Sequence, residues 1–275
     1  MRWSLLVAAV LACSACARVE GTGRSQLLLT SVAEENRLGA EAYAEVKAGE
    51  KPCADAATVA FVERVGRRLA AVAPARGFQY EFTTLHSDTV NAFCLPGGKV
   101  AIYTGILPWC VNEAGLAAVM GHEIGHAIAR HGGERMSQGM VAQLGGGALE
   151  VLLEAKGIQP TNRNLVLGAA GALAQVGVIL PYSRSHELEA DYLGLTYMAK
   201  AGYDPAQAVA FWSRFAELTG GTPGFLSTHP ASEDRARRLQ ACMAEAQALY
   251  QAAPVKSGAG EPVPAAFRQR PAGKG

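Results

Sequence analysis

His122-Glu123-Ile124-Gly125-His126 has the residue types and spacing of a catalytic zinc site. Helical positions four apart lie nearly above one another, so both imidazoles can point at one ion. Zinc accepts nitrogen ligands at tetrahedral corners and, in a catalytic site, keeps one corner for water. Glu123 lies about 100° round the same helix, where its carboxylate can take a proton from that water and give it to a leaving amine. The plainer alternative is two histidines satisfied on a helix face. The apolar residues around the motif place it on a buried helix, the context the chemistry requires, with one Zn2+ per chain.

Two imidazoles leave a ligand missing. The downstream candidates are Glu150, Glu154, Glu187, Glu189, Asp191 and His229. Glu187 is preferred, because it shares a helix face with Asp191: one carboxylate can ligate zinc while the other orients a ligand histidine from behind. His186 points about 100° away from Glu187. Glu189 reads as a surface or salt-bridge residue, and His131 as a helix-terminal or surface histidine. An extended HExxHxxGxxH site needs glycine at 129 and histidine at 132. Ala129 and Gly132 stand there instead, which excludes that class.

Around these residues the patterning is mostly helical. Leu116, Val119, Met120, Ile124, Ala127 and Ile128 run through the motif helix, with Asn112 as its N-cap. Helical spacing also covers 30–73, broken at Lys51-Pro52, and 184–200, 205–219 and 231–250. The runs 140–153 and 165–180 read as a helical hairpin in or beside the cleft. Alternation over 78–85, then Ala92-Phe93-Cys94 and Val100 to Thr104 about a Pro96-Gly97-Gly98 turn, predicts a sheet of three or four strands. The expected fold class is α+β, mostly helical, with this small sheet beside the HExxH helix.

With Lys+Arg 25 against Asp+Glu 24, the net charge of +1 gives no field that would steer the chain to nucleic acid. Arg2 and the short apolar run Leu5 to Ala12 make 1–12 a signal peptide, too short to span a membrane. Val10-Leu11-Ala12-Cys13 resembles a bacterial lipobox, with Cys13 carrying the lipid and 13–29 as a tether. A metallopeptidase domain over 30–250 follows. Residues 251–275, rich in Pro, Gly and Ala, read as a disordered tail. Cys53, Cys94, Cys110 and Cys242 form no CxxC pair and read as structural, their pairing open.

Over roughly residues 30–245 the chain resembles the zinc peptidases that include HtpX heat-shock proteases, CAAX prenyl proteases and soluble periplasmic lipoprotein proteases. The resemblance is carried by Asn91-Ala92-Phe93 with Pro96-Gly97-Gly98 and Tyr103-Thr104-Gly105, and by Glu113 to Arg130 with the metal motif. Ser183-Arg184 followed by Glu187 and Asp191, and Thr228-His229-Pro230 with Arg235, continue it in order. It implies a zincin-like, gluzincin-type centre: zinc held by His122, His126 and Glu187, Asp191 behind them, and Glu123 activating water. Asn91, Ala92 and Phe93 would lie beside an extended substrate as an added strand. Arg235 is implied as an oxyanion or substrate-positioning group, with a salt bridge to the acidic helix as the alternative. His229 is implied to approach the zinc and hold the site closed, with a substrate-side or structural role as its alternatives.

The spanning helices of the membrane relatives have no counterpart here, and neither does a helical-repeat domain. The resemblance is therefore closest to the soluble lipoprotein members: an endopeptidase of misfolded or envelope proteins in the bacterial periplasm, lipid-anchored at the outer membrane. Its partners would be polypeptide substrates, the membrane through the N-terminal lipid, and a regulatory envelope protein. The alternatives are a latent, chaperone-like metal protein, a non-peptidase hydrolase and a membrane-spanning prenyl protease.

Overall fold

In the computed structural model, which describes residues 16–74, 77–155, 183–216, 229 and 233–269, the chain divides into two units. The smaller, Met1–Ser31 with Arg130–Pro181, holds strands β1 (Cys16–Arg18) and β2 (Ser25–Leu27) and helix α5 (His131–Ala155). The strands pair antiparallel, Ala17 opposite Gln26. Where a tether was expected there is a folded ribbon, because side chains tie it to α5. Arg24 meets Glu134 with two bonds of 3.1 and 2.8 Å, and the Leu29 N–H donates to Ser137 Oγ at 2.8 Å. Helix α5 begins at His131, which is buried rather than on the surface. The leader with Cys13 and the run 165–180 lie outside the described residues.

The larger unit, Val32–Ala129 with Tyr182–Gly275, contains the motif. Helices α1 (Val32–Gly49) and α2 (Ala56–Ala70) precede strands β3 (Glu81–Leu85), β4 (Ala92–Leu95) and β5 (Lys99–Tyr103). The sheet order is β3-β5-β4, with β3 parallel and β4 antiparallel to β5. Strand alternation turns Phe93 and Leu95 toward Tyr43 of α1, together with Leu85, Ala101 and Tyr103. The Tyr43 hydroxyl donates to the Val100 carbonyl at 2.8 Å. Gly97 and Gly98 close the β4–β5 hairpin at φ of 84° and 80°, a region that side chains disfavour. The Tyr103 N–H donates to the Asn91 carbonyl at 3.1 Å, so Ala92 and Ile102 form a non-hydrogen-bonded pair. The backbone groups of Phe93 therefore face β5, and those of Ala92 and Cys94 face away. Among the described residues, β4 is an edge strand.

After a 3-10 turn (Thr104–Ile106) and the short α3 (Leu107–Cys110), Asn112 caps α4 (Glu113–Ile128) by accepting from the Gly115 N–H at 2.9 Å. Every residue of α4 is buried. Helix α6 (Arg184–Lys200) packs against it where Gly194 meets Gly121. A Cβ at position 194 would fall 2.6 Å from the His122 nitrogen and 2.7 Å from the Gly121 carbonyl carbon, both backbone atoms. This close approach lets His122 on α4 reach the carboxylates of α6. We expect Gly194→Ala to force the helices apart, costing about 1–3 kcal/mol and loosening metal binding. A variant that melts and retains zinc like the parent would show that the crossing tolerates a methyl group.

Helices α7 (Ala206–Ala216), α8 (Glu233–Ala241) and α9 (Met243–Ala252) follow; the single helix expected over 231–250 is interrupted at Cys242. The disordered tail expected from composition is not found over 253–269. Val263 is fully buried, and its N–H donates to the Val111 carbonyl at 2.9 Å. One anchored side chain and a run of backbone hydrogen bonds hold a segment that has little else to bury. Residues 270–275 lie outside the described set. Cys53, Cys94, Cys110 and Cys242 are free thiols. The mostly helical α+β class and the small sheet agree with the sequence.

Candidate metal centre

Helix α4 presents His122 and His126 one turn apart, and α6 presents Glu187 and Asp191 in the same way. With His229, the first three bring one ligand atom each to within 4.8 Å of one another, and all four are buried. His122 Nε2 lies 3.1 Å from His126 Nε2 and 3.2 Å from His229 Nδ1. Glu187 Oε1 lies 3.3 Å from His126 Nε2 and 3.0 Å from His229 Nδ1. For zinc bonds of about 2.0–2.1 Å, a tetrahedron sets its donor atoms about 3.3–3.4 Å apart. The spacing suits one divalent ion such as Zn2+.

The donor chemistry fits as well. His122 Nδ1 stands 2.9 Å from Asp191 Oδ1, an acceptor, so a metal-bound ring would keep its proton on Nδ1 and offer the Nε2 lone pair inward. A proton can satisfy only one pair in such a cluster, whereas a cation satisfies all four atoms. Glu123 Oε1 and Glu187 Oε2 are buried without hydrogen bonds, although His229 Nε2 and Arg235 Nη1 stand 3.5 and 3.1 Å from them. Three buried carboxylates, Glu123, Glu187 and Asp191, face one buried guanidinium, Arg235.

The pKa directions follow from burial set against the partners each group meets. Burial alone would raise Glu187, but hydrogen bonds from His122, His126 and His229 overcome it and hold the carboxyl far below its usual range. Burial would likewise raise Asp191; the charge and hydrogen bonds of Arg235, with His122, bring it down instead. For His122, burial acts downward, yet the bonds to Asp191 and Glu187 outweigh it and push the ring up to about 9. Glu123 differs: burial raises it and the nearby histidines only partly offset the rise. Two carboxyl groups are thus shifted down by their partners, and the third is shifted up by burial.

Arg235 grips Asp191 through two bonds of 2.7 Å and sets its Cζ over Trp212, 3.8 Å from the ring centre. Its geometry is that of the salt bridge to the acidic helix. Trp212, read from sequence as a packing residue, also stands edge-on to His122 with centroids 5.3 Å apart; helical spacing alone does not separate that position from ordinary core. Glu189 is buried, contrary to the surface reading, and His186 is buried but outside the set of four. Glu150 and Glu154 lie on α5 in the other unit, where only the backbone is described. Ala92 and Phe93 lie on β4, and Asn91 immediately precedes it with its carbonyl engaged by Tyr103.

Comparison with known proteins agrees with this arrangement. The chain is 36% identical over 220 residues to the mitochondrial metalloendopeptidase OMA1 of Schizosaccharomyces pombe, covering 78% of this chain and 62% of that protein. It is 36% identical over 184 residues to OMA1 of Saccharomyces cerevisiae, covering 64% of this chain and 50% of the relative. The beta-barrel assembly-enhancing protease of Escherichia coli K12 is 28% identical over 211 residues, covering 74% of this chain and 43% of that protein. The chain thus spans less than two thirds of each of these relatives. The family model for peptidase family M48 matches residues 56–243, more than half the chain and the whole of the four-ligand cluster, and the chain belongs to that family.

Proposed function

We propose that the chain is a zinc-dependent endopeptidase in which Glu123 is the general base. The observation that carries this reading is the convergence of His122, His126, Glu187 and His229 beside buried Glu123. Zinc held by His122, His126 and Glu187 would supply polarisation of the scissile carbonyl and acidification of water. Glu123 accepts a proton from that water and passes it to the departing amine, a task suited to a carboxyl whose pKa is raised by burial. Asp191 fixes the His122 ring through Nδ1, and Arg235 acts through Asp191 and Glu187 as a positioning residue. An extended polypeptide lies along Asn91, Ala92 and Phe93 and pairs with the outward backbone groups of Ala92 and Cys94 on β4.

His229 Nδ1, close to both His122 and Glu187, would hold the ion together with the other three ligands, where a catalytic site needs a position for water or substrate. A site so filled would be closed at rest, and His229 would have to leave for turnover. The same feature favours, as a second reading, a latent chaperone-like protein that binds metal and cleaves little. Misfolded or envelope proteins are the assigned substrates, drawing on relatives named for beta-barrel assembly. The leader with Cys13 supports export and lipid anchoring at the outer membrane, and a regulatory envelope partner would act by releasing His229. Among the described residues no helix is long and apolar enough to cross a membrane. Prenyl-peptide cleavage is not assigned.

Casein digestion tests the proposal. Cleavage should vanish on chelation and return with zinc. His229→Ala should cleave about tenfold faster than the parent, as for a site open about a tenth of the time. Equal or slower cleavage by His229→Ala counts against the gate. Zinc-loaded parent and variant that both leave casein intact would favour the chaperone-like reading.

A further inference from the structure

We infer that the C-terminal strap, residues 253–269, positions helix α4 and thereby sets the zinc affinity of the site. The inference rests on the zinc reading above. The strap lies beyond residues 56–243, the span matched by the family model.

The first N–H groups of a helix have no partner within it. In α4, the Glu113 N–H donates to the Glu261 carbonyl at 2.9 Å and the Ala114 N–H to the Ala259 carbonyl at 3.0 Å. Asn112 takes the next free donor, on Gly115. Two of the three donors are therefore satisfied by the strap. Just before the cap, Val111 has φ 69° and ψ −43°, and the Asn112 N–H reaches back to the Cys110 carbonyl at 2.8 Å. This is the rare, strained form of the γ-turn, here centred on a β-branched residue. The Val263 N–H holds the Val111 carbonyl at 2.9 Å, and Asn112 bridges to Pro262. The strap thus restrains the turn from which the metal helix starts.

The Glu113 side chain makes the same connection from within. Its buried carboxylate pairs with Arg64 and Arg68 of α2 and accepts from Tyr203 at 3.4 Å. Arg68 also donates to Ser257 of the strap at 2.8 Å. Gly260, at φ 67°, lies against Glu113 where a Cβ would fall 2.5 Å from Oε2. The Gly121–Gly194 contact sets how close α4 and α6 come, and the strap fixes the end of α4 from which His122 is projected. From Glu113 to His122 the helix rises about 13 Å, so a tilt of about 3° moves His122 by about 0.7 Å. A constellation of this kind tolerates about 0.5 Å.

The test measures zinc dissociation constants by chelator competition, with hydrogen exchange at residues 114–121, in the full chain. Val263→Ser should raise the zinc Kd about tenfold and speed exchange in the first turns of α4, with unchanged far-ultraviolet circular dichroism. Adding Val111→Gly should recover most of the affinity, because glycine adopts the γ-turn without the restraint. A Val263→Ser chain that melts lower yet keeps its Kd within about twofold and its α4 exchange unchanged would reduce the strap to ordinary packing and overturn the inference. So would absence of rescue by Val111→Gly. If Val263→Ser does not fold, Ser257→Ala carries the same expectation at about threefold. A parent that binds no zinc fails the metal reading, whereas the exchange measurement still reads the strap's hold on α4.

Discussion

Glu123→Gln is expected to lower kcat/KM on casein by at least about 100-fold while about one zinc per chain stays bound. Glutamine keeps the volume and the carbonyl oxygen but cannot accept and return a proton. Glu123 is not among the four ligand residues, so the metal set survives the change. Its Oε1 is buried without a hydrogen bond and His229 Nε2 is 3.5 Å away, so the amide enters without breaking a strong contact. Measuring the variant also in a His229→Ala chain separates loss of the base from closure of the site. Activity within about threefold of the parent would remove Glu123 from the chemistry.

Asp191→Asn should have the next largest effect, because one carboxylate serves two buried partners. Its Oδ1 is 2.9 Å from His122 Nδ1, and both oxygens hold Arg235 at 2.7 Å. Losing the partner that orients a ligand histidine costs about 10–100-fold in metal affinity. Leaving the guanidinium without its main countercharge costs about 3–5 kcal/mol, an upper bound here because Glu187 remains 3.1 Å from Arg235 Nη1. Urea unfolding of the metal-free chain reads the second effect, and chelator competition reads the first. Parent-like values in both would show that Asp191 neither orients His122 nor anchors Arg235.

The metal motif was legible because its information is local. His122 and His126 are one helical turn apart, and so are Glu187 and Asp191, so each pair could be placed on a face without the fold. Pairing Arg235 with Asp191 could not be decided, since 44 residues separate them and an arginine near a catalytic site suits several roles equally. Burial of Glu189 and His131 was also out of reach: helical periodicity ranks faces by apolar content and does not register a polar residue enclosed by neighbouring elements. The strap misled for a related reason. Composition over 251–275 promises little burial, but Val263 and backbone bonds to Glu113, Ala114 and Val111 are enough to fold 253–269. At the N-terminal side, the ribbon depends on Arg24 meeting Glu134, a contact across 110 residues.

His229 has the largest consequence for function of these long-range placements. Its ring meets His122, Glu187 and, through Nε2, the proposed base Glu123. One side chain can thus close the proposed metal site and screen the proposed base, while β4 keeps a free edge among the described residues. Such a site can carry intact catalytic residues and still be quiet at rest.

Zinc K-edge X-ray absorption on the purified chain is the most direct measurement of that centre. The expected result is about one zinc per chain with three imidazole nitrogens and one carboxylate oxygen at about 2.0–2.1 Å, and one imidazole fewer in His229→Ala. A folded chain without zinc, a sulfur scatterer in the first shell, or a spectrum unchanged by His229→Ala would contradict the site built from His122, His126, Glu187 and His229.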